Sequence, residues 1–210
     1  MADAPTVFVI DDDPSIRAAL KRLVASVGLP CEAFASADAY FAALDPAAAG
    51  CLIVDIRLPG ASGLELQEKL GRNGYHVPVI FLTAHGDIRT TVRAMKGGAM
   101  DFLTKPFHEQ ELLDAIRHAI DLDREGRRKH VERTRRRERF ESLTPRERQV
   151  LALVVAGRLN KQIAVELNLS ESTVKLHRAE VMQKMEAGSV AELVLIVSDV
   201  DIVARPPASA

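Results

Sequence analysis

The chain has 210 residues, 47% of them hydrophobic and 27% charged, and a formal net charge of −1. This length fits one large domain or two ordinary ones, and the balance of residue types is that of a globular protein with a packed core. No apolar run approaches the roughly 20 residues that span a bilayer, and no secretory signal precedes the first apolar run. We therefore expect a cytoplasmic protein without membrane attachment, in which Cys31 and Cys51 are reduced and buried.

Charge is distributed unevenly along the chain. Residues 1–122 carry 11 basic and 16 acidic side chains, residues 123–141 carry 9 and 5, and residues 142–210 carry 8 and 8. These shifts predict an acidic domain over 1–122, a charged linker over 123–141 and a neutral domain over 142–205. Residues 204–210 are expected to form a frayed end.

The first segment alternates short apolar runs with longer amphipathic ones. Five runs have the length of strands: residues 6–10, 30–34, 51–54, 78–82 and 100–103. The intervening segments have apolar residues at helical spacing, and Val92 and Met95 continue this pattern before the last strand. Near-continuous apolar strands that alternate with helices predict a parallel sheet covered on both faces. The expected fold is α/β, a flavodoxin-like, doubly wound five-stranded parallel sheet.

The second half of the chain has a helical pattern. A fifth helix, over residues 109–122, runs without a proline into the charged linker, which we predict to be helical or partly frayed; a nucleic-acid-binding arm is the alternative. Thr144, Asn160 and Ser170 are expected to cap later helices, and Gly157 marks the end of one of them. These signals predict an all-α domain of four short helices.

Charged side chains follow three apolar runs of the first segment. Asp11 and Asp12 follow the first run, Asp55 closes the third and Lys105 follows the fifth. Because the carboxyl ends of parallel strands meet at one edge of a sheet, we expect these four groups to converge. Carboxylates that face a single amine are suited to phosphoryl transfer, whereas Asp13 is expected to cap the helix that follows it.

Residues 6–122 resemble the receiver domain of bacterial two-component response regulators. The matching segments are Asp11-Asp12, Asp55 with Arg57-Leu58-Pro59-Gly60 and Gly63, Leu82-Thr83-Ala84, and Phe102-Leu103-Thr104-Lys105-Pro106-Phe107. Each segment is weak evidence alone, but all four occur in order and each lies at a predicted strand end.

This resemblance implies a phosphoacceptor and a metal site. Asp55 would be the nucleophile that receives the phosphoryl group. Mg²⁺ would be bound by Asp12, Asp55 and the backbone carbonyl of Arg57, with Asp11 acting through a water molecule.

The same resemblance implies residues that respond to the phosphoryl group. Lys105 would pair with one phosphoryl oxygen and the Thr83 hydroxyl would donate to another, after which Phe102 would turn inward. For Phe102, ordinary core packing is the alternative. His85 and Arg57 are hypothesised to tune how quickly water hydrolyses the acyl phosphate.

Residues 142–203 resemble the LuxR-type helix-turn-helix of the FixJ/NarL class of regulators. The matching motifs include Leu143-Thr144-Pro145-Arg146-Glu147, Asn160-Lys161-Gln162-Ile163-Ala164, Thr173-Val174-Lys175 and Lys184-Met185. The resemblance implies that the helix over residues 171–185 reads DNA.

A helical wheel gives this helix two faces. Val174, Val181 and Met185 share the face expected to be buried. The opposite face contains Lys175, Leu176 and Ala179, which are predicted to contact bases in the major groove. Contacts with backbone phosphates are predicted for Thr173, His177, Arg178 and Lys161. For any one of these positions, an ordinary solvated surface is the alternative.

Together the two resemblances imply a phosphorylation-dependent transcriptional regulator rather than an enzyme. Its expected partners are a sensor histidine kinase, double-stranded promoter DNA and a second copy of the chain, with RNA polymerase as a further candidate. One alternative is a constitutive DNA-binding protein whose receiver is never phosphorylated. Another is a Mg²⁺-dependent aspartyl-phosphate phosphohydrolase, whose nucleophile and second acid form an Asp-x-Asp pair after the first strand. Asp11 and Asp13 have this spacing, but Pro14 follows them and Asp55 would have no role, so this alternative is disfavoured.

Overall fold

The computed structural model describes residues 4–84 and 88–199, so the predicted frayed end lies outside the described residues. The chain divides after Arg127 into two compact units. The strands of the first unit are β1 (Thr6–Ile10), β2 (Cys31–Phe34), β3 (Gly50–Asp55), β4 (Val79–Thr83) and β5 (Asp101–Thr104). The helices that begin in this unit are α1 (Pro14–Ser26), α2 (Ala37–Ala43), α3 (Gly63–Arg72), α4 (Ile88–Lys96) and α5 (Glu109–Glu141).

All five strands are parallel and lie in the order β2-β1-β3-β4-β5. This is the flavodoxin-like order, which confirms the predicted fold. The register aligns the strand ends, because Asp55 pairs with Leu82 and Thr83 pairs with Thr104. Residues at the carboxyl ends of β1, β3, β4 and β5 therefore lie along one edge of the sheet.

Alternate residues of the strands contribute to two separate cores. Val7 and Val9 pack on the face covered by α1 and α5, whereas Phe8 and Ile10 pack on the face covered by α2, α3 and α4. Because helices cover both faces, β3 and β4 are buried along nearly their whole length. This burial explains why these strands read as continuous apolar runs in the sequence.

Helix α4 is present where the spacing of Val92 and Met95 predicted a helix. Val92 and Met95 are nevertheless 44% and 46% exposed, and the buried residue of this helix is Ala94. Thr90 and Thr91 are half-buried. The helix therefore packs through its smaller side chains, and its larger apolar residues are half exposed.

The charged segment after residue 122 is part of α5, which is a continuous helix to Glu141. Asp123 is only 5% exposed; its Oδ2 accepts hydrogen bonds from the Gly50 amide at 2.9 Å and from Arg127 Nε at 2.8 Å. Arg127 also donates to the carbonyl oxygens of Ala47 and Ala48. These contacts attach α5 to the loop that precedes β3.

Both cysteines are free thiols on strands that flank β1. Cys51 is buried and Cys31 is half-buried, and both pair in register with Val7. Their Cα atoms are therefore two strand spacings apart, roughly 9.6 Å, which exceeds the limit of about 7 Å for a disulfide. Burial raises the pKa of both thiols, that of Cys51 to about 12.

The second unit is helical, with a core of its own. Its further helices are α6 (Pro145–Val155), α7 (Asn160–Glu166), α8 (Glu171–Lys184) and α9 (Val190–Asp199). The predicted capping box of α6 is present, because Glu147 N donates to Thr144 Oγ1 and Thr144 N donates to Glu147 Oε2. Ser170 caps α8 as expected. No helix in the described ranges is both long and apolar enough to span a membrane.

The predicted cap of α7 was wrong. The N-cap residue is Leu159, whose side chain makes no capping hydrogen bond, and Asn160 is the first helical residue. The Leu159 amide donates to Gln162 Oε1 at 2.9 Å, so the glutamine takes over part of the capping. Asn160 Oδ1 instead accepts a hydrogen bond from Arg178 Nη1 of α8 at 3.0 Å.

Candidate functional site

Three carboxylates meet at the carboxyl edge of the sheet. Asp11 and Asp12 directly follow β1, and Asp55 is the last residue of the neighbouring β3. One carboxylate oxygen from each lies within 4.8 Å of the others. Asp11 is 1% exposed, Asp55 is half-buried and Asp12 is exposed. The cluster therefore has a buried base and one side open to solvent.

Lys105 contacts two of these carboxylates directly. Its Nζ lies 2.7 Å from Asp11 Oδ2 and 2.6 Å from Asp55 Oδ2, and its side chain is 14% exposed. Burial alone would lower the pKa of Lys105, but the hydrogen bonds and charges of Asp11 and Asp55 outweigh burial and raise it. The side chain is therefore a stable ammonium at neutral pH.

Backbone hydrogen bonds orient the same carboxylates. Asp11 Oδ1 accepts from the Asp13 amide at 2.9 Å, and Asp55 Oδ1 accepts from the Arg57 amide at 2.9 Å. Each carboxylate thus has one oxygen bound to the backbone and the other bound to Lys105. This division fixes the rotation of both groups before any ligand binds.

Arg17 supports the loop after β1, a role that the sequence analysis missed. Its Nη1 donates to the carbonyl oxygen of Asp11 at 2.6 Å and to that of Asp12 at 2.9 Å. The signal available in the sequence was its position in the first turn of α1, four residues after the cap Asp13, whose side chain accepts from the Ser15 amide at 2.7 Å. A donor in that turn can reach the carbonyl groups that precede the helix.

Gly63 permits a close approach beneath Asp55. A Cβ atom at Gly63 would lie 2.5 Å from the backbone oxygen of Asp55 and 2.9 Å from Val54 Cγ1. The Gly63 amide donates to the carbonyl of Ile56 at 3.0 Å. The first residue of α3 therefore packs directly against the chain that carries the phosphoacceptor candidate.

The donor set suits Mg²⁺. Asp11, Asp12 and Asp55 offer only carboxylate oxygens, which favours a hard divalent cation over a transition metal. Among the described residues, these three carboxylates are accompanied by the ammonium of Lys105, so the four side chains together carry an excess of negative charge. A divalent cation would compensate this excess, and exposed Asp12 leaves room for water on the metal.

The two predicted switch residues lie on β4 and β5. Thr83, the last residue of β4, is 1% exposed. Phe102 is half-buried and packs against the core under α2, α3 and α4. This packing agrees with the core interpretation of Phe102. His85 lies outside the described residues.

The two faces of α8 agree with the helical wheel. Val174, Val181 and Met185 are completely buried, and Leu176 is 59% exposed. The exposed face contains Ser172, Lys175, Leu176, Ala179 and Gln183. This surface has small side chains, one cation and no carboxylate, which is the character that a major-groove surface requires.

The residues assigned to backbone phosphates differ in their surroundings. Lys161 is exposed, whereas Thr173, His177 and Arg178 are half-buried. His177 Nδ1 lies 3.5 Å from Glu180 Oε2, which is too long for a good hydrogen bond. A neighbouring carboxylate weakens His177 as a phosphate contact relative to Lys161.

A doubly wound parallel sheet with this cluster at its carboxyl edge, followed on the same chain by a helix-turn-helix unit, defines a class of protein. The class is that of two-domain response regulators that control transcription. The motifs in the sequence predicted this class.

The chain belongs to the response regulator family. Residues 7–117 match the response regulator receiver domain, and residues 141–197 match the bacterial regulatory proteins of the luxR family. Nodulation protein W of Bradyrhizobium diazoefficiens is 50% identical over 188 residues, which cover 90% of this chain and 83% of that protein. Response regulator protein TodT of Pseudomonas putida is 46% identical over 193 residues, which cover 92% and 85%.

Two solved structures of response regulators extend over nearly the whole chain. The low-resolution structure of StyR has a TM-score of 0.84 and 49% identity, and it covers 93% of this chain and 98% of that one. Full-length FixJ from B. japonicum has a TM-score of 0.58 and 36% identity, and it covers 97% and 100%. These comparisons confirm the predicted family and its pairing of a receiver with a LuxR-type domain.

Proposed function

We propose that Asp55 accepts a phosphoryl group from a sensor histidine kinase and that this event controls DNA binding by the helical unit. The observation that carries this proposal is the ammonium of Lys105, which contacts both Asp11 and Asp55 at the carboxyl edge of the sheet. A solvated cluster of acidic residues would not need a buried cation shared between two strands. A nucleophile that must approach an anionic phosphorus does need one.

The chemistry follows from the two oxygens of Asp55. One carboxylate oxygen forms the new O–P bond while the P–N bond of the phosphohistidine breaks and the imidazole leaves. The Arg57 amide holds Oδ1 at 2.9 Å, which leaves Oδ2, the oxygen bound to Lys105, as the candidate nucleophile. As the bond forms, the Lys105 ammonium passes from the carboxylate to a phosphoryl oxygen and remains paired throughout.

Asp11, Asp12, Asp55 and the carbonyl oxygen of Arg57 would hold Mg²⁺, which would supply charge neutralisation for the phosphoryl oxygens. Asp11 would act through a water molecule, as the resemblance to receiver domains implies. Exposed Asp12 is the carboxylate with the greatest freedom to bind the ion directly.

Phosphate incorporation from acetyl phosphate tests the acceptor. We expect Mg²⁺-dependent labelling of the wild type, no labelling of Asp55→Ala, and weaker labelling of Asp12→Asn. Asp13→Ser is the matched control, because serine preserves the cap of α1 while an acidic residue next to the cluster is removed. Labelling of Asp55→Ala at the wild-type level would contradict the proposal.

Thr83 and Phe102 are proposed to transmit the presence of the phosphoryl group to the surface formed by α4, β5 and α5. The support is that Thr83 ends β4 beside the cluster, in register with Thr104 of β5. We expect Thr83→Ala to be phosphorylated like the wild type but to lose the effect of phosphorylation on DNA affinity. Loss of labelling instead would assign Thr83 to the phosphoryl transfer itself.

The helical unit is proposed to bind promoter DNA as a dimer. Residues 142–210 carry equal numbers of basic and acidic side chains, so one copy would neutralise few phosphates and bind weakly. Two copies on two half-sites would double these contacts. Sedimentation with and without acetyl phosphate, on and off DNA, measures this assembly, and a monomer under all four conditions would count against it.

DNA affinity separates the proposal from a constitutive DNA-binding protein. We expect acetyl phosphate to raise the affinity of the wild type but not that of Asp55→Ala. Equal affinities for both proteins in the presence of acetyl phosphate would favour the constitutive alternative. Steady turnover of a small phosphate ester would favour the phosphohydrolase instead.

A further inference from the structure

The contact between Asn160 and Arg178 joins the two helices of the helix-turn-helix. Asn160 begins α7, and Arg178 lies in α8, one turn after Lys175 of the exposed face. Arg178 Nη1 donates to Asn160 Oδ1 at 3.0 Å, and both residues are half-buried. The guanidinium is therefore held at the border between the buried and the exposed faces of α8.

Asn160 does not have the capping role that its position in the motif suggests. The N-cap of α7 is Leu159, and Gln162 accepts the hydrogen bond from the Leu159 amide. The side-chain oxygen of Asn160 therefore does not cap the helix. Its hydrogen bond to Arg178 is the contact that fixes its orientation.

The acceptor holds Arg178 without neutralising it. An amide oxygen carries no net charge, and no carboxylate of the described ranges forms an ion pair with Arg178. Two other cations of the helical unit are compensated, since Lys184 pairs with Glu147 and Arg139 pairs with Glu186. Arg178 thus combines a fixed position with an uncompensated charge and further N–H donors, which is what an anion-binding group requires.

We propose that Asn160 is a positioning residue for DNA binding, which orders the Arg178 guanidinium in advance for a backbone phosphate. The inference rests on the proposed DNA-binding function. In a helix-turn-helix the first helix crosses the DNA backbone while the second enters the groove, so a group held between the start of α7 and the middle of α8 lies near that backbone. Ordering a long side chain before binding lowers the entropic cost of the contact.

Binding to a mixed-sequence DNA duplex tests the proposal, because a phosphate contact is independent of sequence. Full-length protein treated with acetyl phosphate and Mg²⁺ is titrated at several salt concentrations. We expect Arg178→Ala to reduce the salt slope by about 1 per protein copy. Asn160→Ala should bind about three- to tenfold more weakly, the range set by the cost of ordering one side chain.

The double variant distinguishes positioning from an independent effect. With Arg178→Ala already present, Asn160→Ala should cause no further loss of affinity, because the residue it positions is gone. An equal loss in both backgrounds, or no loss in either, would overturn the proposal. A wild type that does not bind the duplex would overturn the proposed DNA binding as well, so the two failures are distinguishable.

Asn160→Asp supplies a readout that a purely structural role would not produce. An acid in the first turn of α7 favours the helix dipole and pairs with Arg178, so the variant should unfold at the wild-type temperature or above. Its DNA affinity should nevertheless fall below that of Asn160→Ala, because the carboxylate neutralises the cation. Stability and affinity that fall together would assign Asn160 to folding alone.

Discussion

One ammonium compensates two carboxylates in the receiver unit, and this contact makes Lys105 important for stability as well as chemistry. We expect Lys105→Met to lower the free energy of unfolding by about 3 kcal/mol at neutral pH, because it leaves Asp11 and Asp55 without their partner. Added Mg²⁺ should reduce the difference in free energy of unfolding between this variant and the wild type. Urea unfolding measures both effects, and exposed Lys96→Met is the control.

The pH dependence of this contribution has a defined sign. The pKa of Lys105 is raised in the folded protein, above an unfolded value of about 10.4. Its contribution is therefore complete at neutral pH and is lost as the pH rises through the folded-state pKa. A wild type and a Lys105→Met variant that lose stability equally in strong alkali would contradict this assignment.

Gly63 offers a second test at the scale of one residue. Gly63→Ala would force a Cβ atom to 2.5 Å from the backbone oxygen of Asp55, so we expect a loss of about 2 kcal/mol and slower phosphorylation. Gly71→Ala in the same helix meets no atom within 4 Å, and should stabilise α3 by up to about 1 kcal/mol. Urea unfolding measures both variants. A lower free energy of unfolding for Gly63→Ala and a higher one for Gly71→Ala would verify that the contact with Asp55, rather than helix propensity, requires a glycine at position 63.

At the scale of elements, Asp123 anchors α5 to the loop before β3. Asp123→Ala leaves the Gly50 amide without its acceptor and the Arg127 charge without its counter-charge, so we expect the free energy of unfolding of the receiver unit to fall by about 3–5 kcal/mol. The matched control is Asp121→Ala, whose pair with Arg124 is exposed and spans 3.5 Å, and whose cost should be below about 0.5 kcal/mol. Similar losses in the two variants would show that the buried contact has no special role.

Helices α6 and α8 are joined by a buried carboxylate. Glu147 is 3% exposed and accepts from the Thr144 amide at 2.8 Å and from Lys184 Nζ at 2.7 Å. Burial alone would raise the pKa of Glu147, but the hydrogen bonds from Lys184 and Thr144 outweigh it and lower the pKa. Its contribution to stability is present above the unfolded-state pKa of about 4.3 and is lost as the pH falls through the folded-state value.

We therefore expect Glu147→Gln to lower the free energy of unfolding by about 2 kcal/mol at pH 7. Its stability should also depend less on pH than that of the wild type below about pH 5. Unfolding in urea across this pH range measures the difference. Exposed Glu166→Gln is the control, and the assignment fails if this control has the same acid profile as Glu147→Gln.

At the scale of the whole molecule, the sequence predicted the class, the sheet and the charged groups at its edge. Strand ends are visible because Asp55 and Lys105 interrupt apolar runs, and parallel topology then brings them together. The rotation of α4 was not predictable, because Val92 and Met95 are the larger apolar residues, yet Ala94 packs inside. Helical spacing identifies an apolar face but not the volume available to it.

Long-range contacts explain the other omissions. Asp123 and Gly50 are 73 residues apart, and nothing in the charged segment marks one carboxylate as buried. Asn160 has the residue type and place of a cap, but the fold uses it to hold Arg178. Motifs therefore predicted which residues lie near a site, whereas the partners of polar side chains required the three-dimensional structure.

The two thiols beside β1 provide an intrinsic probe of how the sheet opens. Because Cys51 is completely covered and its sulfur remains protonated at neutral pH, an alkylating reagent can modify it only when strands separate. Cys51 lies in the first unit, so the rate of its alkylation would report the opening of the receiver sheet, whereas half-buried Cys31 is accessible without such opening. Mass spectrometry of the native chain could thus compare the alkylation rate of Cys51 before and after treatment with acetyl phosphate, without an introduced label.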